Sequence, residues 1–420
     1  MNQPSQQSAK GWTVVFAGLA INLILGVLYS WSVIAKALGR DWHWTRAHAT
    51  LPMSIATACF AFMMVFAGRW QDRFGPRRVA IVGGFLLGLG VLGSALAKSH
   101  ELMSITFGIG AGFGIGLGYS ATTPPAIKWF PPARKGVITG IVVSGVGLAS
   151  VYIAPLTSYL LGQVGIQETF AILGIGVLVL VPALATLLQN PPETTVTAPG
   201  PVAATAPRVE SGWLTVCSKP VFYLLWLQML LSVFAGLMIT SQIAMIASEQ
   251  AKWEAGFVAV ALLAIFNTLG RLTSGFLSDV IGRSGTMTIA FLVQAVNMFA
   301  FSHYDSQGLL ILGIAVAGLC YGAGFAVLPA TTADFFGLKN LGVNYGLVFT
   351  AFGFGGVLGP MVSASIHDQD KSYAHAYQIS AVLLLVGAVV ALLTRPPRSR
   401  GETTEKSVPI SAATPLPKTT

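Results

Sequence analysis

The chain has 420 residues, of which 54% are hydrophobic and only 9% are charged. Soluble domains carry roughly a quarter charged residues, so this composition excludes a soluble globular enzyme and predicts an all-α protein embedded in a membrane. The net charge of +9 does not indicate nucleic-acid binding, because the basic residues are scattered at the ends of apolar runs. That distribution is typical of a topology signal.

Twelve apolar stretches, each of about the length needed to cross a bilayer, follow one another along the chain. They cover residues 12–35, 49–68, 79–97, 102–125, 137–161, 171–188, 221–247, 256–277, 286–302, 309–330, 345–366 and 374–394. Between the sixth and the seventh lies a run of Pro, Thr and Ala that is too poor in large apolar residues to fold alone. We therefore predict two six-helix halves at 1–189 and 220–395, a cytoplasmic linker at 190–219, and a disordered cytoplasmic tail at 396–420.

The lysines and arginines are divided unequally between the loops on the two sides of this bundle. If both termini are cytoplasmic, that side holds seventeen of them and the other side holds six. Positive charges are retained on the cytoplasmic side of a membrane. The sequence therefore predicts a multi-pass protein of the cell's inner (plasma) membrane with both termini in the cytoplasm.

Two loop patterns recur in the second half. The segment GRWQDRFG at 68–75 shares its Gly, Asp and Gly with GFLSDVIG at 275–282, at an offset of 207 residues. The aromatic pair and glycine of 129–136 recur in 335–342 at an offset of 206. Two nearly equal offsets indicate an internal duplication.

These segments also carry a family resemblance. The loop GRWQDRFGPRR at 68–78 resembles the loop signature of the major facilitator superfamily. Three further stretches resemble the group of monocarboxylate transporters and bacterial oxalate:formate antiporters: LYSWSVIAKAL at 28–38, KWFPPARKG at 128–136 and NTLGRLTSGFLSDVIGR at 267–283. The resemblance spans residues 12–395. It implies the major facilitator fold, in which two six-helix halves rock about a central binding site.

Arg271 is the one ionisable side chain far from the ends of the twelve stretches. Eight residues separate it from Asp279 at the predicted boundary, about 12 Å along a helix, in a hydrocarbon layer about 30 Å thick. An arginine near the midplane costs at least about 2.5 kcal/mol, and such residues usually face a substrate path. Snorkelling towards the interface is the alternative. The resemblance favours function, because Arg271 matches the family's substrate-binding arginine, whose fork pairs with one carboxylate.

Asn267 lies one helical turn before Arg271 on the same helix face. Its amide orients the guanidinium, contacts the substrate, or forms an interhelical hydrogen bond. In animal monocarboxylate transporters the matching position resembles an aspartate that takes part in proton coupling. The asparagine here leaves that part of the mechanism open.

The resemblance places six further residues around the same site. They are Leu28, Tyr29, Tyr119, Tyr321, Phe325 and Phe352. Phe352 matches a lysine of the oxalate exchanger, and Leu28 matches a glutamine, so this pocket has one positive charge fewer and is more apolar. Helix packing is the alternative reading of each aromatic residue.

We therefore predict a secondary active transporter of small monocarboxylates of the lactate or pyruvate type that works by alternating access. The resemblance implies proton symport, and carboxylate exchange of the oxalate:formate type is the alternative. The six histidines fall in or near the outer loops and no carboxylate lies inside a stretch, so a mid-membrane proton relay is not expected.

Other function classes find no support in the sequence. It contains no GxxxxGK[ST], HExxH or GxSxG motif, so we expect neither an ATP-driven pump nor an enzyme. The three cysteines fit no disulfide or metal framework. We expect no cofactor, no metal and no nucleic-acid partner, and a functional monomer whose partners are the lipid bilayer, the carboxylate and a proton.

Overall fold

The computed structural model describes residues 3–192, 210–253 and 255–394. The predicted tail at 396–420 and residues 193–209 of the predicted linker lie outside these ranges. The described part of the chain is helical and contains no strand, which confirms the predicted all-α class.

The helices that are long and apolar enough to cross a membrane are numbered α1 to α12 in chain order. They are α1 Ser8–Asp41, α2 Ala47–Phe74, α3 Pro76–Ser94, α4 His100–Lys128, α5 and α6 together Pro132–Ala185, α7 Pro220–Gln250, α8 Gly256–Val280, α9 Arg283–Phe301, α10 Gln307–Phe336, α11 Leu341–Asp370 and α12 Ala374–Leu393. The predicted order of apolar segments matches this order throughout.

The pair α5 and α6 is one continuous apolar stretch that turns at Gly165. Its φ of 84° and ψ of −175° break the helix in a region that residues with a Cβ seldom adopt. At 1.5 Å per residue, the 54 residues of this stretch extend about 80 Å, more than twice a hydrocarbon layer of about 30 Å. Counted as two crossings, it confirms the predicted twelve transmembrane helices.

Several helices extend beyond their predicted ends. The first apolar stretch stops near Lys36, whereas α1 continues to Asp41. This last part is amphipathic: Ile34 and Leu38 are buried while Lys36 and Arg40 are not. Sequence hydropathy marks the apolar span, and the helix continues where only one face is apolar.

Glycines allow α4 to approach two neighbours closely. A Cβ on Gly112 would lie 2.7 Å from the carbonyl oxygen of Ala56 in α2, and one on Gly114 would overlap Leu87 in α3. These two glycines of α4 thus face different helices, and each allows backbones to pack in contact.

The two halves meet along α2 against α11 and along α5 against α8. Gly68 of α2 and Gly342 of α11 are in backbone contact, and so are Gly136 at the start of α5 and Gly275 of α8. The two contacts are related by the sequence repeat. The repeated glycines are therefore among the points at which the backbones of the two halves touch.

The repeated aspartates cap helices of the opposite half. Asp279 accepts a hydrogen bond of 2.9 Å from the backbone N–H of Gly136, and Asp72 accepts one of 3.1 Å from the backbone N–H of Gly342. In each case the other carboxylate oxygen accepts from the next backbone N–H. Each carboxylate thus satisfies two N–H groups at a helix start, where negative charge is favoured.

We call the end of the bundle formed by the loops 68–78, 128–136, 275–283 and 334–342 the basic end. An ion network joins the halves there: Lys135 lies 2.8 Å from Asp334, and Arg283 lies 2.9 Å from Asp334 and 2.6 Å from Asp279. Among the described residues, the hydrogen bonds between the halves lie at this end or at the level of Arg271. The basic end is therefore closed in this state.

The last residues of the predicted linker pack on the second half at the basic end. Glu210 accepts a hydrogen bond of 2.9 Å from the backbone N–H of Lys339, and Trp213–Cys217 form a short helix. The exact boundaries of the halves and the linker remain predictions.

Candidate functional site

A small cavity lies between the halves at the middle of the bundle. It offers ≈ 40 Å³ to the centres of water-sized molecules, which is room for about three waters at 10–15 Å³ each. Its wall is formed by Leu25, Gly26, Leu28, Tyr29, Phe60, Ile115, Tyr119, Val146, Arg271, Phe325, Phe349 and Phe352. Seven helices, α1, α2, α4, α5, α8, α10 and α11, contribute to it, so both halves build the site.

Arg271 is the one charged side chain on this wall and is only 2% exposed. Its Nε donates to Oδ1 of Asn267 at 3.0 Å, and its Nη1 donates to the backbone carbonyl of Val143 at 2.6 Å. The guanidinium carbon lies 4.5 Å from the centre of the Phe325 ring, within cation–π distance. Contacts from α8, α5 and α10 therefore fix the orientation of the guanidinium.

The guanidinium keeps unused donors. Two of its five N–H groups are engaged, so three are left, and both hydrogens on Nη2 are among them. No carboxylate oxygen of the described residues lies within 4.0 Å of it. A buried, permanently charged group without a counter-ion favours an anion in the adjoining cavity.

The rest of the wall is mostly apolar. Leu28 and Tyr29 come from the 3₁₀ segment Gly26–Ser30 of α1. Phe352 stacks on Phe349 with ring centres 5.0 Å apart. The cavity thus combines one cation with a wall suited to a short organic group.

Tyr119 adds a polar group to this wall. Its ring packs against Phe60 with centres 5.6 Å apart, and its hydroxyl is buried without a hydrogen-bond partner among the residues that the structure describes. A buried hydroxyl in this condition is uncommon. It is available to an oxygen atom of a ligand in the cavity.

The structure brings six of the eight predicted site residues to the cavity wall: Leu28, Tyr29, Tyr119, Arg271, Phe325 and Phe352. Asn267 is not on the wall. It lies behind Arg271 and holds its Nε, and its own Nδ2 is buried without a partner. Tyr321 also lies away from the cavity: it lines a separate crevice with Gly236 and contacts Phe325 edge-on at 5.3 Å.

Two further aromatic residues on the wall, Phe60 and Phe349, were not predicted from the sequence. Phe349 precedes Phe352 by three residues, so helical spacing on α11 was a signal that could have found it. No sequence feature distinguished Phe60 from the other phenylalanines, of which the chain has 24 in all. Whether its side chain faces the cavity depends on the rotation of α2 about its axis.

Comparison with a family profile identifies the superfamily of this chain. The profile of the Major Facilitator Superfamily matches residues 11–305 and 247–418. The chain belongs to this superfamily. It is therefore a multi-pass membrane transporter, and the predicted major facilitator fold is confirmed.

Relatives place this transporter more closely. It is 30% identical to the uncharacterized MFS-type transporter YhjX of Escherichia coli, over 84% of this chain and 88% of the relative. It is 26% identical to the oxalate:formate antiporter of Oxalobacter formigenes, over 95% and 96%. It is 25% identical to monocarboxylate transporter 13 of Rattus norvegicus, over 92% and 89%. The predicted resemblance to the monocarboxylate and oxalate:formate group is confirmed.

The fold has counterparts among solved structures. The proton:xylose symporter XylE bound to 6-bromo-6-deoxy-D-glucose matches with a TM-score of 0.72 over 93% of this chain and 97% of that one. The two sequences are 14% identical, so this likeness concerns the fold alone.

Proposed function

We propose that this transporter moves small monocarboxylates of the lactate or pyruvate type, chemically unchanged, by alternating access. The observation that carries the proposal is the guanidinium of Arg271, which is buried on the wall of a small, mainly apolar cavity and has no counter-ion among the described residues. The unused N–H groups match one carboxylate.

Charge and size define the cargo. The described residues on the cavity wall include one cation and no second basic side chain, so a dicarboxylate would leave one carboxylate unpaired in an apolar environment. The volume of ≈ 40 Å³ fits a ligand of a few heavy atoms better than an aromatic acid. Oxalate is disfavoured on charge, and bulky acids are disfavoured on size.

The relatives support the same chemical class. They include an oxalate:formate antiporter and a monocarboxylate transporter, and both names refer to small organic anions. We propose proton symport, with exchange of carboxylates as the second candidate. The described wall residues include no carboxylate, so in our proposal the proton enters with the substrate or on a group near the opposite end.

We also propose that the basic end faces the cytoplasm, in the cell's inner membrane, and that the monomer is the working unit. The first proposal is supported by the count of seventeen basic residues against six. The second is supported by the cavity, since one chain supplies its described wall.

Uptake by the purified protein in proteoliposomes tests these proposals. With labelled lactate outside and an inward proton gradient, we expect accumulation above equilibrium that a protonophore abolishes. Accumulation that instead requires unlabelled carboxylate inside, and ignores the gradient, would establish exchange and overturn symport.

A competition series tests the cargo class in the same vesicles. Pyruvate and lactate should compete for uptake, whereas oxalate and succinate should compete poorly. Effective competition by dicarboxylates, or no saturable uptake of any monocarboxylate, would contradict the proposed class.

A further inference from the structure

Buried polar atoms without hydrogen-bond partners are concentrated in one region of the described structure. Seven of the eleven such atoms belong to six residues on α2, α4 and α11, between the cavity and the basic end. These residues, which we call the polar strip, are Gln71, Tyr119, Ser120, Thr123, Asn344 and Tyr345. Each is at most 3% exposed.

Contacts place one end of the polar strip at the cavity and the other at the basic end. Tyr119 lines the cavity, and Phe349 lies 5.5 Å from its ring and 5.7 Å from that of Tyr345. The two tyrosine hydroxyls approach each other across the halves without a hydrogen bond of normal geometry. At the basic end, a Cβ on Gly342 would lie 2.5 Å from Oε1 of Gln71, so the strip continues to the capped start of α11.

The internal duplication supplies a control for this arrangement. At offsets of 206 to 207 residues, the side chains of the other half are mostly apolar, and the polar ones are satisfied. Ser278 donates to the carbonyl of Gly275 at 2.8 Å, and Thr139 donates to the carbonyl of Lys135 at 2.7 Å. The six positions that match the polar strip are Ser278, Phe325, Ala326, Pro329, Ile138 and Thr139.

The charged residues follow the same asymmetry. Asp334 pairs with Lys135 and Arg283 on one side of the molecule. Its repeat counterpart is Lys128, at the basic end of α4. Lys128 is half-buried and has no hydrogen bond or ion pair with the described residues, although Asp72 and Glu210 are close enough to interact with it through space.

Buried polar groups are rarely left unpaired in a single closed state. Groups that line a passage are paired by water and by the solute whenever that passage is open. Within the described residues, one side of this transporter is thus mostly apolar and locked by ion pairs, whereas the other keeps unpaired polar atoms and a cation that forms no ion pair.

We propose that the transported anion passes between Arg271 and the basic end along the polar strip, between α2, α4 and α11, and that Lys128 meets its carboxylate where the strip ends. The matched surface on α5, α8 and α10 stays dry. This inference rests on the proposed function only in taking the cargo to be a small organic anion.

Thiol labelling tests the asymmetry without reference to the cargo. In a background with Cys59, Cys217 and Cys320 replaced by alanine, Ser120→Cys is compared with Ala326→Cys, its repeat counterpart. An anionic methanethiosulfonate is applied to inside-out and to right-side-out vesicles. We expect Ser120→Cys to react several-fold faster than Ala326→Cys in the inside-out preparation. Equal rates, faster labelling of Ala326→Cys, or labelling of neither residue would overturn the proposal.

A transport measurement tests the role of the hydroxyl groups. Tyr345→Phe removes one hydroxyl from the strip, and Thr139→Val removes the one at the matching repeat position. With labelled lactate, we expect Tyr345→Phe to lower the maximal rate several-fold at an unchanged KM, and Thr139→Val to leave both unchanged. Equal effects of the two variants would overturn the proposal. If lactate is not transported at all while the labelling asymmetry persists, the proposed cargo fails and the polar strip stands.

Discussion

Three neighbours hold the guanidinium of Arg271 in place, and they leave some of its N–H groups unused. One set of contacts therefore positions the charge, and the remaining N–H groups can bind a ligand. Asn267 and the Val143 carbonyl take one N–H group each, and the Phe325 ring covers one face. A lysine would keep the charge, but its compact ammonium lacks the planar fork that serves these contacts and a carboxylate together.

We therefore expect Arg271→Lys to lose most transport. Removal of one charge-assisted hydrogen bond costs about 1.5–3 kcal/mol, which corresponds to a loss of roughly tenfold or more in kcat/KM. Initial rates of lactate uptake measure it, with size-exclusion chromatography as the check on folding. Wild-type rates in this variant would refute the assignment of Arg271 to the carboxylate.

We propose that Phe352, on the cavity wall, limits the charge of the anion that the cavity accepts. Its ring centre lies 6.0 Å from that of Phe325, which covers Arg271, so Phe352→Lys would add a second cation to the same wall. We expect oxalate to become an effective competitor and lactate uptake to fall. Phe352→Leu is the matched control, since it removes the ring without adding charge. Equal responses to oxalate in the two variants would contradict this role.

A site residue could be predicted from the sequence when its residue type was rare in the surrounding stretch. Arg271 was predictable because a single charge inside an apolar stretch is costly and usually functional. Asn267 was predictable because it lies one helical turn from Arg271. For Tyr321 and Phe60, the sequence alone could not decide whether the ring faces the cavity. Both are aromatic residues in apolar helices, and whether such a ring faces a cavity depends on helix rotation, which tertiary packing decides.

At the scale of the helices, backbone contact between α2 and α11 gives a stability prediction. A Cβ on Gly346 would lie 3.0 Å from the Cα of Val65 and would also overlap the backbone of Met64. We expect Gly346→Ala to destabilise the folded transporter by about 1–3 kcal/mol through overpacking, seen as a lower Tm in detergent. Gly176→Ala is the control, because no atom lies within 4 Å of the added Cβ and alanine favours the helix. A Tm equal to that of the control variant would contradict this prediction, because α2 and α11 would then accommodate the added methyl group without loss of stability.

Hydropathy predicted the number and order of the helices, since each crossing needs an apolar run of bilayer length. It could not predict where helices begin and end. The residues 162–170 between two predicted stretches are helical on both sides of a single turn at Gly165. Helical hydrogen bonding continues through polar and amphipathic segments to which a hydropathy window does not respond.

At the scale of the whole molecule, the sequence repeat predicted the pseudo-symmetry of the two halves. It did not predict the difference between their two interfaces. The loop signatures and their offset indicated two similar halves, and Asp72 and Asp279 do cap helices in equivalent ways. Among the described residues, the ion pairs at the basic end lie at only one of the two interfaces. Lys135 and Arg283 share Asp334, and that convergence required the packed positions of α5, α9 and α10.

This network controls how firmly the basic end is closed. Lys135 is nearly buried, with a side chain 9% exposed, and Asp334 joins it to Arg283 across the halves. Asp334→Asn leaves both cations without that carboxylate, so the closed state loses stability relative to the state open at the basic end. A loss of only about 1.4 kcal/mol changes the ratio of the two states tenfold.

Spin labels at Arg134→Cys and Lys339→Cys, both exposed positions at the basic end of opposite halves, report this opening. The labels are placed in the background in which alanine replaces the three native cysteines. We expect Asp334→Asn to shift the distance distribution to longer values. Asp305→Asn is the control, since Asp305 is exposed and forms no ion pair with the described residues. A distance distribution equal to that of the control variant would contradict this prediction. The glycine contacts and the aspartate caps, which Asp334→Asn leaves in place, would then be sufficient to keep the basic end closed.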